Sequence, residues 1–181
     1  MATLYTIGHS TRTLDELIAT LRAHNIRTLV DIRAFPASRR LPQFNRELLE
    51  TNLPAAGIRY VWMKALGGYR KKILEDSPHI ALRNESFRNY ADYAMTPAFR
   101  GGLDALCLLA SGKRCAIMCA ETVWWQCHRK LISDAMVVRG IEVVHLVQPG
   151  RRMKHELDPA ARVVDGDRLV YDVGVLPLPG A

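Results

Sequence analysis

The stretch LYTIGHSTRTLDELIATLRAHNIRTLVDIR, residues 4–33, holds two strand patterns on either side of a helix pattern. The first strand is the apolar run 4–7, which ends before Gly8, and the second is the run 28–33. Between them, Thr13 and Glu16 have the spacing of a capping box at a helix start. The apolar residues that follow recur at i, i+3, i+4 and i+7, as in an amphipathic helix: Leu14, Leu17, Ile18 and Leu21. Strand, helix and strand within about 30 residues predict a right-handed βαβ unit.

The rest of the chain repeats this alternation. Apolar runs at 58–62, 113–119 and 141–147 predict three more strands. A helix pattern begins near Asn45 and is cut short by Pro54. Three further helix patterns cover 86–95, 97–111 and 127–139. Strands that are apolar throughout and alternate with helices predict an α/β fold with a mainly parallel sheet of about five strands. Asp165-Gly166, between two apolar runs, is a C-terminal β-hairpin signal. Because no segment has the composition of an interdomain linker, residues 1–181 are expected to form a single domain.

Composition limits the partners and the location. The chain has a formal net charge of +7, which favours anionic partners such as a nucleotide or nucleic acid. Three basic clusters, at 39–40, 70–72 and 151–154, are expected in loops or at element ends. No apolar run approaches the roughly 18 residues of a membrane span, and residues 1–10 do not resemble a signal peptide. We therefore expect a cytoplasmic protein with no membrane association.

The polar and glycine-rich segments follow the predicted strands directly. In open parallel sheets, ligands bind at the carboxyl ends of the strands. The residues expected at that edge are His9 and Ser10 after the first strand, 33–40 with Arg33 and Ser38 after the second, Gly67 and Gly68 after the third, and 119–129 after the fourth. We therefore expect the reactive and ligand-binding side chains to lie together at one edge of the sheet.

Some of these residues allow two interpretations. His9 is either a structural histidine or, beside Ser10, a proton shuttle or a phosphate contact. Arg33 either pairs with an acid such as Asp31 or Glu121, or clamps an anionic ligand. The double glycine 67–68 is either a turn or a place where the backbone approaches a ligand closely.

The segment CAETVWWQCHRK, residues 119–130, is the densest in reactive side chains. Cys127, at the predicted helix start beside His128 and Arg129, is a better candidate for an acidic thiol than Cys119. A metal site built from Cys119, Cys127, His128 and His9 is a weaker hypothesis, because Cys-x7-Cys-His matches no standard zinc spacing, and we predict no metal. A cysteine-phosphatase or rhodanese loop, C-x5-R, is absent after either cysteine. Trp124 and Trp125 either stack on a base or anchor the loop.

Four motifs together resemble the DUF488 family, whose name denotes a domain of unknown function. They are 5–10 (YTIGHS), 30–38 (VDIR-x2-P-x-S), 66–68 (LGG) and 119–129 (CAE-x5-CHR), and the resemblance covers essentially the whole chain. It implies a Rossmann-like fold, hence three layers, and no particular reaction. The signature positions carried over are His9, Ser10, Arg33, Pro36, Ser38, Gly67, Gly68, Cys119, Glu121, Cys127, His128 and Arg129.

Three functions remain open at this point. The leading hypothesis is binding of a phosphate-bearing ligand, a nucleotide or nucleic acid, held by Arg33, Ser38 and Arg129, with Ser10, Gly67, Gly68 and His128 also in the binding site. His9, Glu121 and Cys127 are the catalytic candidates, and no cofactor is predicted. One alternative is a non-catalytic nucleic-acid-binding or adaptor module, and the other is a thiol-dependent enzyme that uses Cys127. The sequence predicts no oligomeric state.

Overall fold

One mainly parallel sheet lies between two layers of helices in the computed structural model, which describes residues 2–148 and 150–174. The strands in chain order are β1 (Thr3–Gly8), β2 (Thr28–Asp31), β3 (Arg59–Trp62), β4 (Cys115–Cys119), β5 (Glu142–Gln148), β6 (Arg151–Lys154), β7 (Ala161–Val164) and β8 (Arg168–Tyr171). The α-helices are α1 (Leu14–Ala23), α2 (Arg46–Ala55), α3 (Glu85–Ala94), α4 (Pro97–Gly112) and α5 (Arg129–Val138). In the described part of the chain, no helix is long and apolar enough to cross a lipid bilayer.

The large sheet has the order β3-β2-β4-β1-β5-β6. Its first five strands are parallel, and β6 is antiparallel to β5. β7 and β8 form a separate antiparallel hairpin, in which Asp165 and Gly166 take the positive φ angles of 43° and 82° that a tight turn requires. The predicted α/β class, mainly parallel sheet and C-terminal hairpin are therefore confirmed.

Two apolar clusters define the layers. The face of the sheet under α1 and α2 buries residues such as Leu17, Leu21, Leu49 and Leu53. The opposite face buries side chains of α3, α4 and α5, among them Tyr90, Leu103, Leu106, Leu131 and Ile132. Burial on both faces explains why the central strands are apolar throughout. It also gives the described part of the chain a three-layer α/β architecture.

The register of the central strands places their carboxyl ends side by side. Gly8 of β1 is the register partner of Cys119 of β4, and Asp31 of β2 pairs with Met118 of β4. Backbone hydrogen bonds continue past the strands, from the N–H of His9 to the carbonyl oxygen of Cys119 (2.9 Å). The segments after β1, β2 and β4 therefore emerge at one place.

The structure corrects several expectations about the elements. The basic cluster at 151–154, expected in a loop or at an element end, is the sixth strand β6, and its charged side chains suit an exposed sheet edge. α5 begins at Arg129, because a 3-10 turn at Trp124–Gln126 precedes it and His128 is its N-cap residue. Pro54 lies within the last turn of α2, which ends at Ala55.

Candidate functional site

Two thiols meet where β4 ends and α5 begins. Cys119 is the last residue of β4, and Cys127 lies two residues before the first residue of α5. Their Sγ atoms are 2.8 Å apart and neither is in a disulfide. Both residues are almost fully buried, with 2% and 3% of their surface exposed. The two cysteines that are eight positions apart in sequence thus form one dithiol pair.

His128 contacts Cys127 with one ring nitrogen and the backbone with the other. Its Nδ1 atom lies 3.4 Å from the Sγ atom of Cys127, and its Nε2 atom lies 2.9 Å from the carbonyl oxygen of Ile32. A carbonyl oxygen only accepts hydrogen bonds, so Nε2 must carry a proton and donate it. Nδ1 is then the atom that exchanges a proton with the thiol. This is the arrangement of a nucleophile, a base and a group that orients the base.

The surroundings favour a thiolate on Cys127. Burial alone would raise the pKa of Cys127, but hydrogen bonds from Cys119 and His128, together with the positive charges of His128 and Arg129, lower it well below its ordinary value. Burial and the neighbouring Cys127 raise the pKa of Cys119. The backbone N–H of Arg129, at the N-terminus of α5, also points to Cys127 Sγ at 3.5 Å. Of the two thiols, Cys127 is therefore the one that ionises first.

Arg129 holds the loop that crosses this site. The residue is 1% exposed, and its guanidinium donates through Nη2 to the carbonyl oxygens of Glu121 (2.5 Å) and Thr122 (3.4 Å). Gly8 lies directly beneath, because a Cβ atom there would come within 1.8 Å of the Glu121 carbonyl oxygen. The cation of Arg129 thus fixes the loop 120–126 over the end of β1, and its charge acts on Cys127 from inside the protein.

A small cavity leads to Cys127 and His128. Its volume is about 170 Å³, and Glu121, exposed at the surface, lines it. The other lining residues are Gly68, Asn84, Ser86, Phe87, Tyr90 and Gln126. Small molecules can therefore approach the buried thiol, and Glu121 is the carboxylate beside them.

Both predicted glycines permit close approach of the backbone. A Cβ atom on Gly68 would lie 2.3 Å from Nδ1 of His128, so only glycine leaves room for that ring. A Cβ atom on Gly67 would lie 2.9 Å from the Cα atom of Ala34. Gly68 therefore sets the position of the base, whereas Gly67 allows the segments after β2 and β3 to touch.

His9 and Arg33 form a second cluster, apart from the cavity lining. The His9 ring stacks on Phe44 with centroids 4.1 Å apart, and its Nδ1 donates to the carbonyl oxygen of Ser10 (2.9 Å). Burial lowers the pKa of His9 to about 4. Arg33 Nε donates to Asp31 Oδ1 at 2.9 Å, and Nη2 donates to the carbonyl oxygen of Phe44 at 2.7 Å. Arg33 was expected either to pair with an acid or to clamp an anionic ligand, and the described contacts are those of an ion pair with Asp31.

The two predicted serines make local contacts. Ser10 has a φ angle of 50° and its hydroxyl accepts a hydrogen bond from the Thr122 hydroxyl at 2.6 Å. The Ser38 hydroxyl accepts from the backbone N–H of Leu41 at 3.1 Å, within the loop after β2. Neither serine lines the cavity at Cys127. The structure therefore brings together Gly68, Cys119, Glu121, Cys127, His128 and Arg129, and leaves His9, Ser10, Arg33 and Ser38 outside the cavity lining.

The adjacent tryptophans have different environments. Trp124 stacks on His145 with ring centroids 4.0 Å apart and an interplanar angle of 7°, so it anchors the loop before Cys127. Trp125 is 49% exposed. His145 belongs to a buried chain of polar groups in which its Nε2 is 3.0 Å from Nδ1 of His155, and Nε2 of His155 is 2.9 Å from Oδ1 of Asp134.

Some participants had no signal in the sequence. Tyr90 lines the cavity, and its ring centroid is 5.2 Å from that of His128, yet the sequence indicated only that it lies in the predicted helix 86–95. Ile32 contributes its backbone carbonyl, which a sequence pattern does not reveal. Among residues 2–148 and 150–174, no group of three or more His, Cys, Asp or Glu side chains is arranged to hold a metal ion.

Comparison with known proteins gives a family and no closer relative. No curated protein and no solved structure matches the chain. The family model described as domain of unknown function DUF488 matches residues 13–136. This region begins after His9 and Ser10, and it contains both thiols of the dithiol pair, His128 and Gly68. Because the match spans most of the sequence and includes the whole lining of the cavity at Cys127, the chain belongs to the DUF488 family.

Proposed function

We propose that the protein is a thiol-dependent enzyme in which the Cys127 thiolate attacks a small electrophile. The observation that carries the proposal is the position of His128, with Nδ1 3.4 Å from Cys127 Sγ and Nε2 held by the Ile32 carbonyl oxygen. A histidine fixed in this tautomer can take the proton of the thiol and return it to a leaving group. Cys127 is the nucleophile and His128 the general base.

The size and lining of the cavity support a small substrate. At about 170 Å³ it admits a molecule of a few heavy atoms, and its walls include the rings of Phe87 and Tyr90. Glu121 places a carboxylate at the exposed side, where it can exchange protons with a bound molecule or with water. No lysine or arginine is among the described residues that line the cavity. A small, uncharged electrophile therefore suits the site better than a phosphate ester.

The phosphate-binding hypothesis has less support at this edge of the sheet. It requires Arg33 and Arg129 to hold an anion. Arg33 is engaged with Asp31, and Arg129 donates to two backbone carbonyl oxygens while almost fully buried. Moving Arg33 to a ligand would leave the buried carboxylate of Asp31 without its hydrogen bonds, which costs about 1–3 kcal/mol or more. Moving Arg129 would release the loop carbonyl oxygens that it holds.

Alkylation of Cys127 tests the thiol function directly. Iodoacetamide is small enough for the cavity, and peptide mass mapping identifies which of the four cysteines it labels. We expect labelling of Cys127 at about pH 6, where an ordinary thiol with a pKa near 8.5 is almost entirely protonated. Cys127→Ser should lose that label, while Cys107→Ala should keep it. Labelling of Cys127 that begins only above about pH 8 would remove the nucleophile.

A second candidate function is binding of single-stranded nucleic acid by the exposed loops after β2 and β3. Two exposed aromatic rings, Phe35 (72%) and Tyr69 (67%), lie with centroids 6.1 Å apart. Arg39, Arg40 and Lys71 nearby in sequence are exposed. Aromatic rings among cations are typical of sites on which successive bases stack.

Oligonucleotide titrations at several salt concentrations test this second function. We expect affinity to fall steeply as salt rises, and to fall about 10-fold or more in the variant Phe35→Ala/Tyr69→Ala. Leu108→Ala, at an exposed apolar residue of α4, is a matched control and should bind as the wild type does. An affinity that is independent of salt and of both rings would contradict this function.

A further inference from the structure

The distance between the two thiols is short enough for a disulfide to form with little movement. The Sγ atoms of Cys119 and Cys127 are 2.8 Å apart, whereas a disulfide bond is about 2.05 Å long. The two residues are held from opposite sides, Cys119 by β4 and Cys127 by the N-terminal end of α5. The nucleophile of the proposed enzyme therefore has a second thiol already in contact.

The other two cysteines are placed differently. Cys115 is a fully buried residue of β4, and burial raises its pKa to about 12. The Sγ atom of Cys107 lies 3.7 Å from the Sδ atom of Met136. For these two residues, the described sulfur contacts include no second thiol. A two-electron oxidation that forms an intramolecular disulfide would therefore join Cys119 and Cys127.

We propose that Cys119 is the resolving thiol of Cys127, and that the pair reduces small hydroperoxides by forming an intramolecular disulfide. This inference rests on the proposed function, because it uses the same nucleophile, and it adds a substrate class and a role for Cys119. The cavity of about 170 Å³ and the nearly complete burial of Cys127 exclude a disulfide on another protein as the oxidant. The negative charge of the Glu121 carboxylate beside the cavity disfavours an anionic oxidant.

The reaction proceeds in two balanced steps. The Cys127 thiolate attacks the outer oxygen of ROOH, so that an S–O bond forms and the O–O bond breaks. RO⁻ leaves and takes a proton to become ROH, and Cys127 becomes a sulfenic acid. The sulfur of Cys119 then attacks that of Cys127, the S–O bond breaks, and the thiol proton leaves with hydroxide as water. Two thiols thus supply two electrons, and an external thiol reductant restores the pair.

Oxidation with hydrogen peroxide tests this inference on the intact chain. Reduced protein is treated with a small excess of hydrogen peroxide, alkylated, and analysed by intact and peptide mass spectrometry. We expect a mass loss of about 2 Da, a disulfide mapped to Cys119 and Cys127, and full reversal by dithiothreitol. Cys107→Ala and Cys115→Ala should form the same disulfide, because neither thiol touches the pair.

Variants of Cys119 test the second step. Cys119→Ala and Cys119→Ser should show no mass loss, and dimedone should trap the sulfenic acid on Cys127. If neither variant folds, the disulfide map of the wild type still decides the matter. Stable oxidation of Cys127 to sulfenic or sulfinic acid in the wild type, or a disulfide through Cys107 or Cys115, would overturn the inference.

The two proposals fail in distinguishable ways. If Cys127 is alkylated at low pH but forms no disulfide, only the role of Cys119 is lost. If Cys127 is not alkylated at low pH, the proposed nucleophile is lost as well.

Discussion

The Nδ1 atom of His128 lies 3.4 Å from the Sγ atom of Cys127, its neighbour in the sequence. Adjacent side chains rarely face each other in a helix or a strand. Here Cys127 has an extended backbone, with φ −127° and ψ 150°, whereas His128 is the N-cap residue of α5. The change in backbone direction between them turns both side chains toward the same cavity.

Removal of the base should raise the pKa of Cys127. We expect His128→Ala to lower the rate of Cys127 alkylation about 10-fold or more at about pH 6, because the thiol then loses the hydrogen bond and charge that stabilise its thiolate. Near pH 9 the difference should shrink, since the thiolate then forms without help. Rates measured by mass spectrometry across this range check the expectation.

A matched control separates this effect from a general loss of structure. His24 follows α1 at a partly exposed position, far in sequence from the site, and His24→Ala should leave the alkylation profile unchanged. Equal rates for His128→Ala and the wild type at both ends of the pH range would exclude His128 as the base.

Gly68 should tolerate no side chain. In Gly68→Ala the new methyl group would lie 2.3 Å from Nδ1 and 2.6 Å from Cε1 of His128, so the ring must move away from Cys127. We expect a loss of about 1–3 kcal/mol in the free energy of unfolding, as in other overpacked sites, and alkylation that requires a higher pH.

Gly101 provides the comparison for that variant. It lies within α4, and a Cβ atom there would meet nothing within 4 Å. Gly101→Ala should therefore raise the free energy of unfolding by up to about 1 kcal/mol, as alanine does in an exposed helix interior, with unchanged alkylation. Urea denaturation checks both variants, and similar effects at the two positions would contradict the packing argument.

The fold was largely predictable because its elements follow local patterns. The capping box of α1 is present as expected, with Thr13 Oγ1 accepting from the Glu16 N–H and the Glu16 carboxylate accepting from the Thr13 N–H. The strand β6 was not predicted, since its sequence Arg-Arg-Met-Lys has no apolar run and its strand conformation depends on pairing with β5. Edge strands of this kind carry little sequence signal.

The site was predictable only in outline. The rule for parallel sheets brought the segments after β1, β2 and β4 to one edge, and Cys127 was identified as the more acidic thiol. The contact between the two sulfurs and the carbonyl of Ile32 depend on how α5 is seated on the sheet, which no spacing reveals. The basic side chains are the hardest to interpret from sequence, because an arginine that binds an anion and one that contacts a loop, as Arg129 does, look the same there.

Acid should destabilise the protein in part through His9. Its pKa in the folded state, about 4, is below the value of 6.5 expected when unfolded, so the folded state binds fewer protons. The stability is therefore fully present above about pH 6.5 and is lost as pH falls toward 4. The difference between the two values corresponds to about 3 kcal/mol.

His9→Phe isolates this contribution. Phenylalanine retains the stacking on Phe44 but does not titrate and cannot donate to Ser10, so the variant should be about 1 kcal/mol less stable at pH 7. The free energy of unfolding in urea should depend less on pH for the variant. The wild type should lose its advantage by about pH 6, where the two proteins cross, and the variant should be about 2 kcal/mol more stable near pH 4. A difference that stays constant from pH 7 to 4 would show that His9 binds its proton equally well in the folded and unfolded states.

Stability should depend strongly on the carboxylate of Asp134. Its fully buried carboxylate accepts from His155 Nε2 (2.9 Å), from the Tyr171 hydroxyl (2.9 Å) and from the backbone N–H of Asp158 (3.0 Å). In a neutral His155 that donates from Nε2, Nδ1 accepts from His145, so the donors of this chain point toward Asp134. In Asp134→Asn an amide N–H₂ group, which is itself a donor, would face some of these donors. The substitution also removes the negative charge that faces Lys130.

We expect Asp134→Asn to lower the free energy of unfolding by about 3–5 kcal/mol, as when one partner of a buried charge network is lost. Asp158→Asn is the matched control, because Asp158 also pairs with Lys130 but is partly exposed, and it should cost about 1 kcal/mol or less. Urea denaturation at pH 7 compares the two. Equal losses would mean that the donors around Asp134 find other partners when its charge is removed, and that the chain through His155 and His145 does not depend on it.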